Sequence, residues 1–203
     1  MPLGCVGAGT GARAGGLKGG IGSASAVLPD GSTVAALVVV NAVGSCVDPA
    51  TGEVYAARFA LPGELEPLRR PAAAELAQAH RRAEVASAGA PLRYPLSTTI
   101  GVIATDLTLT KAQCAKISGI GHDGLARAIR PVHTLFDGDT LFTLARGARP
   151  GAVDPFAMHA VLDAAGDVVT RAVGRALLAA TSVTTPAGEI RCYREAFPSA
   201  FGS

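Results

Sequence analysis

Two short runs rich in β-branched residues stand out in the hydrophobic pattern of the chain. The first is VAALVVVN at residues 34–41, and the second is Thr98–Thr105. Runs of this length and composition predict buried strands. The turn sequence Pro29-Asp30-Gly31-Ser32 precedes the first run, which predicts a hairpin that pairs Ile21–Leu28 with Thr33–Val40.

The pattern changes to helical spacing after the second run. Thr108 or Thr110 can cap a helix that is predicted from Lys111 toward Arg130, and Pro131 ends it. A third strand is predicted at Thr140–Ala145.

A second helix is predicted near the C-terminus. Asp154-Pro155 is a typical helix start, and apolar residues on all sides of Phe156–Ala180 predict a long, largely buried helix. The remaining tail to Ser203 is short, and we expect it to dock on the surface. Strands, a linker, and then alternating strands and helices indicate an α+β fold, with helices on one or both faces of a mixed sheet.

A polar stretch of different composition separates the two halves of the chain. Proline, arginine, glutamate and alanine dominate residues 61–96, where the regularly placed apolar residues are Leu65, Leu68 and Leu76. We expect an exposed linker with a short helix at Ala72–Ala86, because a tract of this length inside a domain indicates a function or a boundary. At this size the whole chain, residues 1–203, is expected to form one domain that contains the linker.

The composition narrows the classes of function. The chain is 49% hydrophobic and 17% charged, as is typical of globular proteins. Its net charge is +2, and it has no stripe of basic residues with interleaved aromatics, so we do not expect it to bind nucleic acid. No apolar stretch reaches the roughly 18 residues of a membrane span, and no signal peptide is recognisable, so we expect a cytoplasmic protein with no membrane partner. The cysteines have no metal-ligand spacing, which favours reduced thiols and no metal: Cys5, Cys46, Cys114 and Cys192.

A glycine-rich segment, GCVGAGTGARAGGLKGGIGS, occupies residues 4–23. So much glycine disfavours a helix and predicts a loop whose backbone approaches a neighbour closely. Lys18 is its single lysine, either a solvated charge or a side chain held in a pocket. The segment is not a P-loop, because no Ser or Thr follows the lysine. Glycine patterns that weakly resemble dinucleotide-binding fingerprints begin at Gly9 and Gly119. We favour the explanation that these glycines allow tight packing, and nucleotide binding is the last of the functions considered.

Polar residues at strand ends and turns are candidates for chemistry. Asn41 ends the first β-branched run, where its amide can donate to a developing oxyanion or satisfy a turn. His122 and His133 are candidate acid–base groups, although a histidine in or beside a helix is more often structural. Asp137-Gly138-Asp139 places two carboxylates just before a strand, where a plain turn or a weak cation loop is the alternative. No further acidic ligands follow at calcium-loop spacing, so calcium is not expected.

Thr98 by itself is an ordinary strand threonine, but it begins a buried strand directly after the linker.

Segments along the whole chain except the linker resemble one known family, in the same order: GAGTGARAGGLKGGIGSAS, VAALVVVNAVGS, STTIGVIATDLTLTKAQ, HDGLARAIRPVHTLFDGDTLF and YREAFPSAF. This family comprises the self-processing D-/L-aminopeptidases, β-peptidyl aminopeptidases and nylon-oligomer endohydrolases. The nylon-oligomer branch is the most similar.

The resemblance implies roles for five residues. The family's nucleophile falls on Thr98, its active-site lysine on Lys18 and its oxyanion asparagine on Asn41. Two aspartates that support the nucleophile fall on Asp137 and Asp139. The implied fold is an αββα-type sandwich like that of N-terminal-nucleophile hydrolases.

The implied reaction is amide hydrolysis after self-cleavage between Ser97 and Thr98. The cut gives an α-chain portion, residues 1–97, and a β-chain portion, residues 98–203, which stay together and associate into larger homo-oligomers. The Thr98 hydroxyl attacks the Ser97 carbonyl, water hydrolyses the ester, and the freed α-amine, with a pKa of about 8, serves as base. The substrate is a small amide or peptide, whether a D- or L-amino-acid amide, a β-peptide or a synthetic polyamide oligomer. Neither a metal nor an organic cofactor is implied.

Two departures from the family pattern bear on this hypothesis. Ser97 stands where the family commonly has Asn or Gly before the nucleophile. The chain also begins where family members are already well inside their fold, so we expect an N-terminal part to be missing, including strands and a tyrosine that lines the active site. The alternative function is an inactive, truncated family member that acts as a structural or binding subunit.

Overall fold

The computed structural model describes residues 1–88, 96–186 and 188–202, so that residues 89–95 of the predicted linker lie outside the described residues. Short 3₁₀ turns lie at Gly7–Gly9, Tyr55–Phe59 and Pro198–Ala200. In chain order the strands are β1 (Arg13–Ala14), β2 (Leu17–Lys18), β3 (Gly20–Val27), β4 (Thr33–Val40), β5 (Ile100–Leu107), β6 (Thr140–Arg149), β7 (Val183–Thr185) and β8 (Gly188–Ile190). The helices are α1 (Ala73–Ala88), α2 (Lys111–Ala128), α3 (Pro155–Leu178) and α4 (Tyr193–Ala196).

A four-stranded mixed sheet forms the centre of the fold, in the order β3-β4-β5-β6. β3 and β4 form the predicted antiparallel hairpin, and β4 also pairs antiparallel with β5. β5 and β6 are parallel, because α2 connects them across one face of the sheet. The predicted strands are confirmed with changes at their ends, since β5 begins at Ile100 rather than Thr98 and β6 continues to Arg149.

Both predicted long helices form, and local capping explains where they begin. The Thr110 hydroxyl accepts the Gln113 N–H, while the Gln113 side chain accepts the Thr110 N–H, a complete capping box at the start of α2. Asp154 caps α3 by accepting two backbone N–H groups of its first turn. Although α3 has 24 residues, no helix among the described residues is long and apolar enough to cross a membrane.

Glycines allow α2 and α3 to pack closely on each other and on one face of the sheet. A Cβ atom on Gly124 would lie 2.4 Å from the Gly166 carbonyl oxygen of α3, and one on Gly22 would lie 1.9 Å from the Ala172 carbonyl oxygen. The faint fingerprint that begins at Gly119 lies inside α2. Its glycines therefore serve helix packing, as the favoured explanation predicted, and they form no phosphate-binding turn.

The opposite face of the sheet has no covering layer within the described ranges. Leu37 of β4, Val102 of β5 and Phe142 of β6 are neighbours across this face, followed along the strands by Ala104 and Leu144. Phe142 is 65% exposed and Leu144 is 61% exposed. The described residues thus form one helical layer and one sheet layer, which is half of an αββα arrangement.

The C-terminal tail does not dock on the surface, and that prediction was wrong. Tyr193 is fully buried and Phe197 is 3% exposed. The Tyr193 hydroxyl donates to the Gly52 carbonyl oxygen at 2.9 Å, and the two rings pack with centroids 5.1 Å apart. Aromatic residues are scarce in this chain, so the tail supplies large side chains that the aliphatic core lacks.

The linker is exposed along much of its length but is anchored to the body of the protein. Its predicted helix is confirmed as α1. Before α1, Glu64 accepts two hydrogen bonds from Arg171 of α3, at 2.6 and 2.7 Å. Glu75 within α1 accepts the hydroxyl of Ser199. The described part of the linker is therefore ordered, and it is bound to α3 of the helical layer and to the C-terminal tail.

Candidate active site

The Ser97–Thr98 peptide bond lies immediately before β5. Thr98 is exposed, and its hydroxyl donates a hydrogen bond of 2.7 Å to the carbonyl oxygen of Ser97. The same oxygen accepts the N–H of Gly138 at 2.9 Å. A fixed backbone donor stabilises negative charge that develops on a carbonyl oxygen. The Ser97 carbonyl is thus held between a hydroxyl and a donor that can stabilise an oxyanion.

Residues on both sides of this bond are fixed by the segment 136–140. The Ser97 N–H donates to the carbonyl oxygen of Phe136 at 2.9 Å, and the Thr140 N–H donates to the carbonyl oxygen of Thr99 at 3.0 Å. The Thr99 N–H donates to Oδ1 of Asp139 at 2.7 Å. These contacts hold the backbone on either side of the bond while the Thr98 side chain stays accessible.

The two predicted aspartates bind backbone around the site, and among the described contacts neither binds the Thr98 hydroxyl. Asp139 accepts the Thr99 N–H, as above. Asp137 accepts the Val43 N–H on Oδ1 at 3.1 Å, and Oδ2 accepts the N–H and the hydroxyl of Thr134 at 3.2 and 2.5 Å. Asp137 thereby joins the Asp-Gly-Asp turn to the segment that follows Asn41.

Asn41 and Thr98 line one pocket of about 280 Å³. Oδ1 of Asn41 accepts the Arg13 N–H at 3.0 Å, so the amide NH₂ group is the donor that remains for a ligand. Val39 and Ile100, which are paired across β4 and β5 on the open face of the sheet, form part of the lining. The other lining residues are small members of the glycine-rich segment: Ala8, Gly11 and Ala12.

Lys18 lies behind the glycine-rich wall of this pocket and is fully buried. Its Nζ donates to the carbonyl oxygens of Gly9, Ala12 and Gly19 at 2.7, 2.9 and 2.9 Å. These bonds use all three of its protons. Burial lowers the pKa of Lys18 below its ordinary value of 10.5, although the Cys5 thiol opposes the shift. Lys18 thus fixes the backbone of the pocket wall from behind.

A chain of polar contacts runs from Asp139 to two histidines. Oδ2 of Asp139 lies 2.8 Å from Nδ1 of His133 and accepts the His133 N–H at 3.3 Å. Nε2 of His133 lies 3.2 Å from Nδ1 of His122 on α2. Burial, with a contribution from His133, lowers the pKa of His122 below its ordinary value of 6.5.

The structure brings four of the residues implied by the resemblance around one bond and one pocket, with Lys18 behind the pocket wall. The N–H of Gly138 was not among the predicted groups, because a backbone donor leaves no residue-type signal. The contact of His133 with Asp139 was also missed. The short spacing of the two in the sequence was the available signal, but the direction of the ring requires the fold.

Comparison with known sequences gives the family. Residues 1–191 match peptidase family S58. The chain is 47% identical to an uncharacterized aminopeptidase of Mycobacterium tuberculosis and 46% identical to one of Mycobacterium leprae. Each match covers 100% of this chain but only 59% and 55% of the respective relative. The chain therefore spans little more than half the length of the curated relatives it matches.

Comparison with solved structures gives the fold. A β-aminopeptidase from a Burkholderia species is similar with a TM-score of 0.62 at 25% identity, covering 100% of this chain and 55% of that chain. The L-aminopeptidase D-Ala-esterase/amidase of Ochrobactrum anthropi, described as a variant of the Ntn hydrolase fold, is similar with a TM-score of 0.65 at 23% identity, covering 95% of this chain and 50% of that chain. The type of fold that the resemblance implied is confirmed, with the described residues forming one sheet layer and one helical layer of it, and the chain belongs to peptidase family S58.

Proposed function

We propose that the chain is a self-processing amide or peptide hydrolase, either an aminopeptidase or an oligoamide hydrolase, that uses Thr98 as an N-terminal nucleophile. The observation that carries the proposal is the double contact on the Ser97 carbonyl oxygen, from the Thr98 hydroxyl and the Gly138 N–H. Membership of a peptidase family supports amide hydrolysis as the reaction class.

Self-cleavage proceeds through an ester. The Thr98 oxygen attacks the Ser97 carbonyl carbon, and the resulting oxyanion accepts the Gly138 N–H. The C–N bond then breaks, and the nitrogen of Thr98 takes the proton that the hydroxyl loses. Water hydrolyses the ester, which leaves a carboxylate on Ser97 and a free amine and hydroxyl on Thr98.

Substrate hydrolysis reuses the same hydroxyl. The freed α-amine of Thr98, with a pKa of about 8, accepts the hydroxyl proton as the oxygen attacks a substrate amide. The Asn41 NH₂ group donates to the oxyanion, a contribution of about 3 kcal/mol at other donors of this kind. The acyl group is then released by water, and no step uses a metal or an organic cofactor.

The two pieces share one sheet, which supports the proposal that they stay together after the cut. β4 in the α-chain portion pairs with β5 in the β-chain portion from Val34–Thr105 to Val39–Ile100. α3 also packs on β3 and β4 from the other side of the cut. Association into homo-oligomers and a cytoplasmic location stay predictions.

The substrate is proposed only as a class. The pocket wall is small and apolar apart from Asn41 and Thr98, which suits the acyl portion of a small amide or peptide. D- and L-amino-acid amides, β-peptides and synthetic polyamide oligomers all fit this description.

The uncovered apolar face favours a second candidate, a chain that acts as a structural or binding subunit. Val39 and Ile100 belong both to this face and to the pocket, so the pocket is open along one side. Under this alternative the fold is retained, whereas the Ser97–Thr98 bond stays intact and no amide is hydrolysed.

The experiment follows self-cleavage and amide hydrolysis in parallel. The purified chain is incubated at neutral pH and sampled by denaturing electrophoresis, mass spectrometry and hydrolysis of L- and D-alanine p-nitroanilide. We expect two fragments that meet between Ser97 and Thr98, with hydrolysis appearing as they accumulate. Thr98→Val, which removes the hydroxyl but keeps the shape of the side chain, should give no fragments and no hydrolysis. Thr98→Ser should retain both self-cleavage and hydrolysis.

Thr108→Val is the matched control. Thr108 is also exposed, and its hydroxyl donates to the Arg149 carbonyl oxygen at the far end of β5, so this variant should behave like the wild type. Cleavage of Thr98→Val at the wild-type rate would show that another protease makes the cut. A folded wild-type chain that stays intact would support the subunit alternative.

A further inference from the structure

We propose that His133, backed by His122, is a positioning residue that sets the geometry of the Thr98 nucleophile through Asp139. The proposal rests on the proposed self-cleavage at Thr98 and adds two residues to its machinery. Neither histidine contacts Thr98, so their action passes through the carboxylate of Asp139.

Asp139 is the link between the histidine and the nucleophile. Its side chain is 1% exposed, so both oxygens depend on protein donors. Oδ1 holds the N–H of Thr99 at 2.7 Å, and Oδ2 faces the ring of His133 at 2.8 Å. Thr99 is covalently joined to Thr98, so a rotation of this carboxylate displaces the nucleophile. A misplacement of about 1 Å costs roughly 100-fold in rate.

The backbone of His133 is shaped for this contact. Its φ of 55° makes it the one non-glycine residue in the left-handed region within the described ranges. Residues other than glycine seldom adopt this conformation, although Asn, Asp and His do so more often than the rest. Here it lets the N–H and the ring nitrogen of one residue both reach Oδ2 of Asp139. A conformation that is disfavoured locally and used in this way indicates a constraint of the site.

Proton placement makes the chain of contacts sensitive to pH. Nδ1 of His133 carries the proton that is donated to the carboxylate, and Nε2 faces Nδ1 of His122 at 3.2 Å. One proton fits between the two rings, given either by neutral His122 or by charged His133. When both rings are charged, two N–H groups face each other and the contact is lost. The contact between the two rings is therefore broken only when both facing nitrogens carry a proton, and it is kept while one of them is unprotonated.

The burial of His122 and the charges around it determine the pH at which its ring becomes charged. The groups that act on it are His133 from the loop, Asp139 beyond that ring, and Asp123 on its own helix. The two carboxylates favour the charged ring, but burial and His133 outweigh them, and the pKa lies below 6.5. Acidification that charges His122 beside a charged His133 should therefore break the contact between the rings, loosen Asp139 and slow self-cleavage.

The first test measures the rate constant of self-cleavage from about pH 5 to about pH 8, the range in which histidines titrate. His133→Asn keeps a residue that accepts the left-handed backbone, but its side chain cannot bridge to His122. We expect a loss of about 10-fold at neutral pH and disappearance of the acid limb. His122→Gln keeps a hydrogen-bonding group that does not titrate, so the acid limb should disappear while the rate at neutral pH is largely kept. His159→Gln, at an exposed position on α3, is the control that should change nothing.

The second test does not need the cut to occur. In the uncleavable Thr98→Val chain, the chemical shift of the Thr99 amide proton reports its bond to Asp139. We expect this shift to titrate together with His122 and to become independent of pH in His133→Asn.

The two tests separate the possible failures. A wild-type chain that gives no fragments at any pH would contradict the proposed self-cleavage. The pH dependence of the Thr99 amide shift would still show whether His133 positions Asp139. Unchanged pH profiles in both histidine variants, or a Thr99 amide that titrates equally in His133→Asn, would overturn the proposal.

Discussion

The two faces of the central sheet come from the same strands but differ in what packs against them. Val38 and Val40 of β4 point to the helices and are fully buried, whereas Leu37 and Val39 between them are half-buried on the open face. On the covered face Gly22 has no room for a Cβ atom, which would lie 1.9 Å from the Ala172 carbonyl oxygen. On the open face, aromatic and aliphatic side chains stand in solvent.

One face of the sheet stabilises the fold, and the other face forms part of the site. The covered face supplies the buried area that stabilises the chain. The pocket with Thr98 and Asn41 lies at one end of the open face, where Val39 and Ile100 form its lining. Substitutions that distinguish the two sides should therefore affect either stability or the reaction, and rarely both.

A large loss of stability is expected from Glu64→Ala, in the linker where Glu64 binds Arg171 of α3. Arg171 is 7% exposed and Glu64 is 10% exposed, so the variant leaves a buried charge without its partner. A loss of about 3 kcal/mol in the free energy of unfolding is expected, measured by urea denaturation. Glu66→Ala, which removes the exposed pair with Arg194, is the matched control and should cause no measurable loss.

The ion pair between Glu64 and Arg171 predicts that the free energy of unfolding depends on pH. Burial raises the pKa of Glu64, but the hydrogen bonds and charge of Arg171 outweigh it, and the pKa lies below the ordinary 4.5. Its contribution is therefore present above pH 4.5 and is lost as pH falls through the lower folded-state pKa. The gap between wild type and Glu64→Ala should narrow in acid. A constant gap would contradict the ion pair as its cause.

Two glycines of α2 test how tightly the covered face is packed. A Cβ on Gly124 would lie 2.4 Å from the Gly166 carbonyl oxygen, whereas one on Gly119 would have no atom within 4 Å. Gly124→Ala should cost about 2 kcal/mol through overpacking, and Gly119→Ala should add about 1 kcal/mol through helix propensity, both from urea denaturation. Equal effects would show that α2 and α3 are not in close contact.

The smallest effect is expected on the open face. Phe142→Thr replaces a side chain that is 65% exposed and should change the free energy of unfolding by no more than about 0.5 kcal/mol. Its neighbour Leu141 is 6% exposed and faces the helices, so Leu141→Thr should cost about 3 kcal/mol. Equal losses at the two positions would show that another layer covers the open face in solution.

Local patterns predicted most of the fold because they reflect local causes. The Pro29–Ser32 turn and the Thr110 and Asp154 caps fix where elements begin, and the structure confirms them. The tail was predicted wrongly because the burial of Tyr193 depends on a distant partner, the carbonyl oxygen of Gly52. Such a contact has no periodicity in the sequence.

The site was predictable only in part for a related reason. Residue types and the resemblance pointed to Thr98, Asn41 and the Asp-Gly-Asp turn, and the fold brings these together. The Gly138 N–H and the orientation of the His133 ring are properties of the backbone. The residue pattern around Lys18 fits both a solvated and a buried side chain, and the bonds of its Nζ to three carbonyl oxygens show that it is buried.

We propose above all that the chain cuts itself before Thr98, and the intact mass of the purified protein is the decisive test. After incubation at neutral pH, we expect two masses, which correspond to residues 1–97 and 98–203, and the single uncut mass for Thr98→Val. A folded wild-type chain that retains one intact mass at all times, or fragments that meet at another bond, would contradict it.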